Sequence, residues 1–263
     1  MADKNMTHTD IGVTDAATGR MTDEPKVTEA WDERTRTLIG DDGAARLGAA
    51  RVLVVGVGGV GGYAAEMLAR AGVGRLTLID ADDVAPSNIN RQLIALHSTI
   101  GVPKTTLFSR RFKDINPDIE VDARSEYLTP EMVDGLLDEE YDFVIDAIDT
   151  VAPKVALISG CLRRGVRIIS SMGAGGRLDP SKVVYADLWS TTEDGLARAV
   201  RQRLKRLGLR RRLPVVASLE APHRHAVIDL NLRNKRTSYG TMATIPAIFG
   251  IMLAASVINH ISK

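Results

Sequence analysis

Cysteine is nearly missing from this chain of 263 residues, in which Cys161 is the single one. One thiol excludes a disulfide framework and a zinc site built from several thiolates of the same chain. Residues 1–29 also lack apolar periodicity and any basic stretch followed by an apolar run, so no signal peptide is expected. They read as a disordered leader, with Met21 as an alternative start, and the protein is expected to be cytoplasmic. Net charge is close to nil, +1 from 34 Lys and Arg against 33 Asp and Glu. That balance excludes neither nucleic acid nor a small acidic substrate, so local patches must decide. Long apolar runs are absent except for ATIPAIFGIMLAASVINHI at 243–261. The run has about the ~20 residues a bilayer asks of a helix. However, Pro246, Gly250, Ser256 and Asn259 interrupt it, and no Trp or Tyr belt flanks it. A buried helix without stable membrane insertion is expected.

What the chain does have is alternation. RVLVV (51–55), RLTLI (75–79), EVDA (120–123), FVIDA (143–147) and VRIIS (166–170) read as strands. Helical patterns near 59–71, 103–115, 130–138 and 152–164 separate them. This order predicts an α/β fold: Rossmann-like, doubly wound, with a mostly parallel sheet and helices on both faces. Residues 30–47 read as a helical entry. The domain plan is a single unit over 30–263, with a nucleotide-binding core at 48–175. A basic helix and C-terminal extension, 183–263, would complete the substrate side. Ligands of such sheets bind beyond the carboxyl ends of the strands.

The polar residues fall at those ends. VVGVGGVGG (54–62) gives Gly56-x-Gly58-x-x-Gly61 behind a strand, with Gly59 and Gly62 added. Such a loop lets a phosphate approach the backbone at a helix amino end. Asp80 ends the next strand, where an acid accepts ribose hydroxyls. Up to this point NAD and ATP fit equally. DADDVAPSNINRQ (80–92) then places Asp82, Asn88, Arg91 and Gln92 behind the acid, and Lys104 stands behind Pro103 at a helix start. Arg91 is expensive beside a nicotinamide ring but suits a triphosphate whose leaving group gathers charge. FVIDA and DAIDT supply Asp146 and Asp149, carboxylates placed to hold magnesium against phosphates. Each alone could be an ordinary surface or turn residue. Their order after successive strands describes nucleotidyl rather than hydride transfer.

These motifs resemble the ubiquitin-activating-type adenylyltransferases, the ThiF/MoeB/HesA superfamily. The resemblance covers about residues 34–175 through VGVGGVGG, LIDADDVAPSNINRQ, IGVPK, INP and DAIDT. RTRTLIGDDG near the start, RQLIALHSTIG (91–101) and SSMGAGGRLDP (170–180) are most similar to its tRNA threonylcarbamoyladenosine dehydratases, the TcdA (CsdL) group. The resemblance implies ATP-dependent cyclisation of threonylcarbamoyladenosine next to the anticodon. It implies ATP and Mg2+ as cofactors and a homodimer, with a cysteine desulfurase or sulfur acceptor as a further partner. By position, Gly58, Gly59 and Gly61 would line the phosphates and Asp80 would hold the ribose. Asn88, Arg91 and Lys104 would grip phosphates, and Asp149, with Asp146 nearby, would serve magnesium. Arg34 would be offered across a dimer interface.

No zinc is expected, because the two CxxC pairs common in MoeB- and ThiF-like proteins are missing, and Cys161 lies far along the chain from the glycine loop. A dehydratase needs no thiol. Once its carboxylate is adenylated, the substrate can be attacked from within, where effective molarities reach ~10⁵ M or more. The alternative is a MoeB/ThiF/HesA-like activator of a small carrier protein. A tRNA substrate calls for a basic footprint, and LARAVRQRLKRLGLRRRLP (196–214) supplies Arg198, Arg201, Arg203, Lys205, Arg206, Arg210, Arg211 and Arg212 without an acid. Leu196, Val200, Leu204 and Leu207 recur at helical spacing, which predicts an amphipathic helix with a cationic face. A plain solvated helix remains open. Residues 217–240 match the family only loosely. His223 and His225 read as loop residues, and Thr237, Ser238 and Tyr239 are expected in a substrate-facing crossover loop.

Overall fold

The computed structural model describes residues 30–232 and 235–263, without the side chains of 224 and 228–238. The expected leader lies outside the described residues. A helical entry, α1 (Glu33–Ala49), is broken by Gly40 at φ 75° and leads into β1 (Arg51–Val55). There follow α2 (Gly61–Arg70), β2 (Arg75–Ile79), α3 (Lys104–Ile115), β3 (Glu120–Arg124), α4 (Val133–Leu137) and β4 (Phe143–Asp146). The second half holds α5 (Val151–Arg164), β5 (Ile168–Ser171), β6 (Val183–Asp187), α6 (Gly195–Arg206) and β7 (Pro214–Ser218). It closes with β8 (Val227–Leu232), β9 (Lys235–Tyr239) and α7 (Thr244–Ile261).

Seven strands form one sheet in the order β3-β2-β1-β4-β5-β7-β6, parallel except for the antiparallel edge strand β6. The chain winds outward from β1 to β3, then returns to β4 on the other side of β1. The carboxyl ends of β1 and β4 therefore flank the switch point, where open α/β sheets take their ligands. Alternate residues of β1 point to opposite faces. Val52 and Val54 join a core with Leu68, Phe108, Phe249 and Leu253, whereas Leu53 and Val55 join one with Leu157, Ile158 and Leu204. Burial on both faces explains why the strands read as continuous apolar runs.

Three sequence readings are corrected. The basic helix stops at Arg206, because Gly208 turns the chain at φ 70° and Arg210–Arg212 lie in the connection to β7. Leu207 is exposed and is not part of the packed stripe. Within 217–240, β7 ends at Ser218, a connection holding His223 follows, and Val227–Leu232 pairs with Lys235–Tyr239, so Thr237, Ser238 and Tyr239 lie in a strand rather than a crossover loop. The hairpin was hard to read because polar residues dominate it.

Helix α7 is long and apolar enough to cross a membrane, and it packs against α2 and the sheet with Ile245, Phe249, Leu253 and Val257 buried. Gly250 makes that approach possible. A β-carbon there would lie 2.3 Å from the Val60 carbonyl oxygen and 2.8 Å from Tyr63 Cβ. Gly250→Ala should therefore overpack the α2–α7 contact and cost on the order of 1–3 kcal/mol. Gly135→Ala, in α4 with nothing within 4 Å of the added carbon, should be neutral or stabilising. Thermal melts of the two variants check this contrast, and equal melting temperatures would refute it.

Candidate functional site

The glycines between β1 and α2 do different work. Gly56 turns the chain at φ 84°, donates to Ile79 O at 2.8 Å and passes under Ala147, whose carbonyl oxygen would sit 2.9 Å from an added β-carbon. At Gly61 that carbon would lie 1.8 Å from the Gly56 oxygen, and at Gly62 it would lie 2.6 Å from Phe108 Cζ. These three glycines close the turn and seat α2. Gly58 and Gly59 are half-buried beside Gln92 and Arg91, so these two offer backbone to a ligand. At Gly61 the missing side chain makes room for the chain itself.

Asp80 ties the loop to β2. Its Oδ2 accepts from Val57 N at 2.7 Å and its Oδ1 from Asp82 N at 2.9 Å. Burial pushes its carboxyl above the ordinary aspartate range, opposed by the Lys104 ammonium and by these two amides. Lys104 is buried at the start of α3, 2.7 Å from the exposed Asp82 and 3.8 Å from Asp80. Between them, Asn88 Oδ1 accepts from Ala85 N and shapes the turn Pro86–Asn88. Arg91 donates to Ser87 O at 2.7 Å and Asn90 Oδ1 at 2.9 Å. Gln92 is buried with its amide nitrogen toward Gly58, and its Oε1 has no hydrogen-bond partner among the described residues. A buried polar group left short beside a glycine loop points to a ligand that completes it.

The end of β4 holds a surprise for the sequence reading. Asp146 is fully buried, with Lys154 Nζ at 2.8 Å, Ser170 Oγ donating to it at 2.6 Å and Ile148 N at 3.1 Å. Lys154, equally buried, also donates to Ile148 O at 2.9 Å. Both carboxylate oxygens are thus engaged with protein, and Asp146 as a magnesium ligand is corrected: it is the anchor of the turn that follows. Asp149 is exposed at the end of that turn. Sequence reading passed over Lys154. Its signal was an ammonium one helical turn inside α5, behind a strand ending in aspartate.

A second buried pair was also missed. Arg177 Nη2 lies 3.3 Å from Asp194 and donates to Glu193 O, while its Nε donates to Glu220 O. Asp194 caps α6 through Ala197 N and accepts from Gly173 N at 2.8 Å, joining the turn after β5 to the start of the basic helix. Along α6, Arg198, Arg203, Lys205 and Arg206 are exposed. Arg201 is not one of them. It folds back on Leu188 O, Thr191 O and Thr191 Oγ1, so its place on an RNA-facing surface is corrected. Arg210 lies over the Trp189 ring, and Arg211 donates to Leu162 O. Arg34 is exposed on α1. Cys161 is buried, and burial pushes its thiol up to about 12, which removes it as a nucleophile near neutral pH.

The model of the ThiF family matches residues 33–263. The chain belongs to the ThiF family. This ThiF-family protein is 39% identical over 241 residues to the tRNA threonylcarbamoyladenosine dehydratase of Bacillus subtilis, across 88% of this chain and 94% of that one. Its fold is similar to the crystal structure of the Escherichia coli dehydratase TcdA in complex with ATP. The TM-score is 0.80 at 35% identity, over 89% of this chain and 96% of that one. The vegetative HesA protein of Trichormus variabilis matches less of it, 40% identical over 124 residues and 47% of the chain.

Removing one member of the buried Asp146–Lys154 pair should be severe, because it strands a charge in the core. Lys154→Met should cost about 3–5 kcal/mol in denaturant unfolding, and combining it with Asp146→Leu should restore part of the loss. A Lys154→Met protein with unchanged stability would show that the pair does not hold the turn.

Proposed function

We propose that this ThiF-family protein is an ATP-dependent tRNA threonylcarbamoyladenosine dehydratase. It adenylates the carboxylate of the threonylcarbamoyl group and promotes closure of the modified nucleoside to its cyclic form. One observation carries the reading: a glycine loop flanked by Arg91 and Lys104 sits at the switch point of a fold alike, almost end to end, to a dehydratase solved with ATP. HesA, the carrier-type relative, is alike over only about half the chain, which favours a dehydratase over a carrier-protein activator.

The residues fit ATP. Gly58 and Gly59 let the phosphates reach the backbone, and Gln92 Nε2 beside Gly58 is a donor for a passing phosphate oxygen, while its unpaired Oε1 calls for a donor such as a hydroxyl or amine of the ligand. Asp80, already fixed by two amides, retains acceptor capacity for ribose hydroxyls. In the first step a substrate carboxylate oxygen bonds to the α-phosphorus and pyrophosphate leaves. Arg91 and Lys104 offset the charge that gathers on it. In the second, a nucleophile of the same nucleoside attacks the acyl carbon and AMP departs, so the nucleoside loses one water in all. No enzyme thiol takes part, in keeping with the inert Cys161.

Magnesium is part of the proposal, with Asp149 as its carboxylate. Mg2+ commonly takes one or two carboxylates, with phosphate oxygens and waters filling the rest, so a site without a three-residue cluster among the described residues suits it. When bound, it would draw charge from the β- and γ-phosphates. A cytoplasmic homodimer in which Arg34 serves the partner's site completes the reading, with residues 30–263 acting as one adenylyltransferase domain. Exposed Arg198, Arg203, Lys205 and Arg206 are offered to tRNA phosphates.

Arg91→Ala and Lys104→Ala should each lower AMP formation by on the order of 10²-fold. Mass spectrometry of nucleosides from tRNA incubated with protein and ATP should show threonylcarbamoyladenosine reduced by one water. Absence of that product, with adenylation of a carrier protein instead, would replace this reading.

A further inference from the structure

A cleft of about 760 Å³ lies at the end of the sheet opposite the glycine loop. Its floor is Phe143 and Ile168 at the amino ends of β4 and β5. The connection before β7 and the last turns of α7 form its walls. The glycine loop, Asp80 and Asp149 all follow carboxyl ends, so this cleft cannot serve the nucleotide. Its chemistry is one-sided. Arg167, Arg211, Arg212 and His260 line it, and no Asp or Glu does. Arg167 makes no ion pair among the described residues. Arg212 is 89% exposed, and the nearby Asp187, 4.0 Å away, already accepts from Trp189 N and Leu213 N. The rings of Phe143 and His260, edge-to-face at 5.7 Å, and the exposed Tyr185 add flat apolar surface between the cations.

Arg211 and Arg212, which line this cleft, follow a few residues behind α6 in the chain. The helix begins at Asp194, whose carboxylate holds Gly173 at the carboxyl end of the sheet. It runs down to Arg206 and the Arg210–Arg212 connection at the amino end, where Arg211 bonds the last turn of α5. Twelve residues of helix span about 18 Å. Gly195–Arg206 contains no acid, and its exposed cations therefore form a track from the substrate side to the cleft.

We infer that this cleft is a second RNA-binding site, which grips phosphodiesters of the tRNA body outside the anticodon stem-loop. The inference rests on the proposed tRNA substrate. Guanidinium groups of which only Arg212 has a carboxylate nearby, Asp187 at 4.0 Å, suit bidentate phosphate contacts, and flat rings accommodate sugars or bases. A duplex or folded RNA whose modified nucleoside enters at the carboxyl end has its backbone drawn along α6 and held at the far end. Contacts there are sequence-independent and salt-sensitive.

The test uses the full chain and two RNAs, intact tRNA and its isolated anticodon stem-loop. Arg167→Glu with Arg212→Glu should weaken intact tRNA about tenfold or more in fluorescence anisotropy. The slope of log affinity against log salt should flatten by about 1–2, since each lost phosphate contact removes about 0.7–0.9. Stem-loop binding and ATP affinity should stay within about twofold. The neutral pair Arg167→Gln with Arg212→Gln should give a smaller loss at an unchanged melting temperature, which separates lost charge from lost folding. Unchanged affinity and slope for intact tRNA would overturn the inference, as would equal weakening of both RNAs. Unchanged tRNA binding with lost retention on vesicles of anionic phospholipid would also overturn it and assign the cleft to a membrane surface. Wild-type protein that neither binds nor dehydrates tRNA would instead overturn the proposed function itself.

Discussion

Everything at the switch point depends on how closely the backbone passes itself. Gly61 stands where a single added carbon would lie 1.8 Å from the Gly56 oxygen, and one added at Gly56 would lie 2.9 Å from the Ala147 oxygen. These contacts bring the ends of β1 and β4 together before any polar residue is placed. Asp80 then pins the loop from one side through Val57 N, and the Asp146–Lys154 pair holds the Ile148 turn from the other. The position of Asp149 follows from a buried ammonium, and the position of Gly58 follows from the close packing of its neighbouring glycines.

The parallel core was legible because burial on both faces writes itself as unbroken apolar runs, and the five strands read from 51 to 170 appear within a residue or two at each end. The cleft residues were legible for a different reason: the doubly wound fold places them after strands, so spacing alone brought Asp80, Arg91, Lys104 and Asp149 forward. What spacing could not supply is which charges would be consumed internally. Asp146 and Asp149 look equivalent in DAIDT, yet one is sealed under Lys154 and Ser170 and the other is exposed. Arg201 is indistinguishable by type from Arg198 or Arg203 until Thr191 and Leu188 are seen folded beneath it. Buried ion pairs join residues distant in sequence, and periodicity carries no record of them.

The β8–β9 hairpin was the least readable part, since a two-stranded ribbon with many polar residues lacks both the apolar run of a buried strand and a tight two-residue turn signature. It nonetheless bears on the site. Tyr239 lies across Gly175 and Gly176, and Gly240 bonds both Gly176 and Ala226. Thr241 then accepts from Asn90, the neighbour of Arg91. The turn after β5, the hairpin and the arginine segment are therefore joined in one wall, built from the part of the chain where the family resemblance was loosest.

The burial of Cys161 has a practical side. Its thiol is shielded and held protonated well above neutrality, so thiol-directed alkylating reagents meet no reactive thiol among the described residues. A cysteine introduced on an exposed surface, for example in place of Ala45 or Gln202, would then be chemically unique without removal of the native one. Spectroscopic labels could be set at single points on the entry helix or the basic helix. Distances between them would follow the molecule as nucleotide and RNA arrive, in a protein otherwise unaltered.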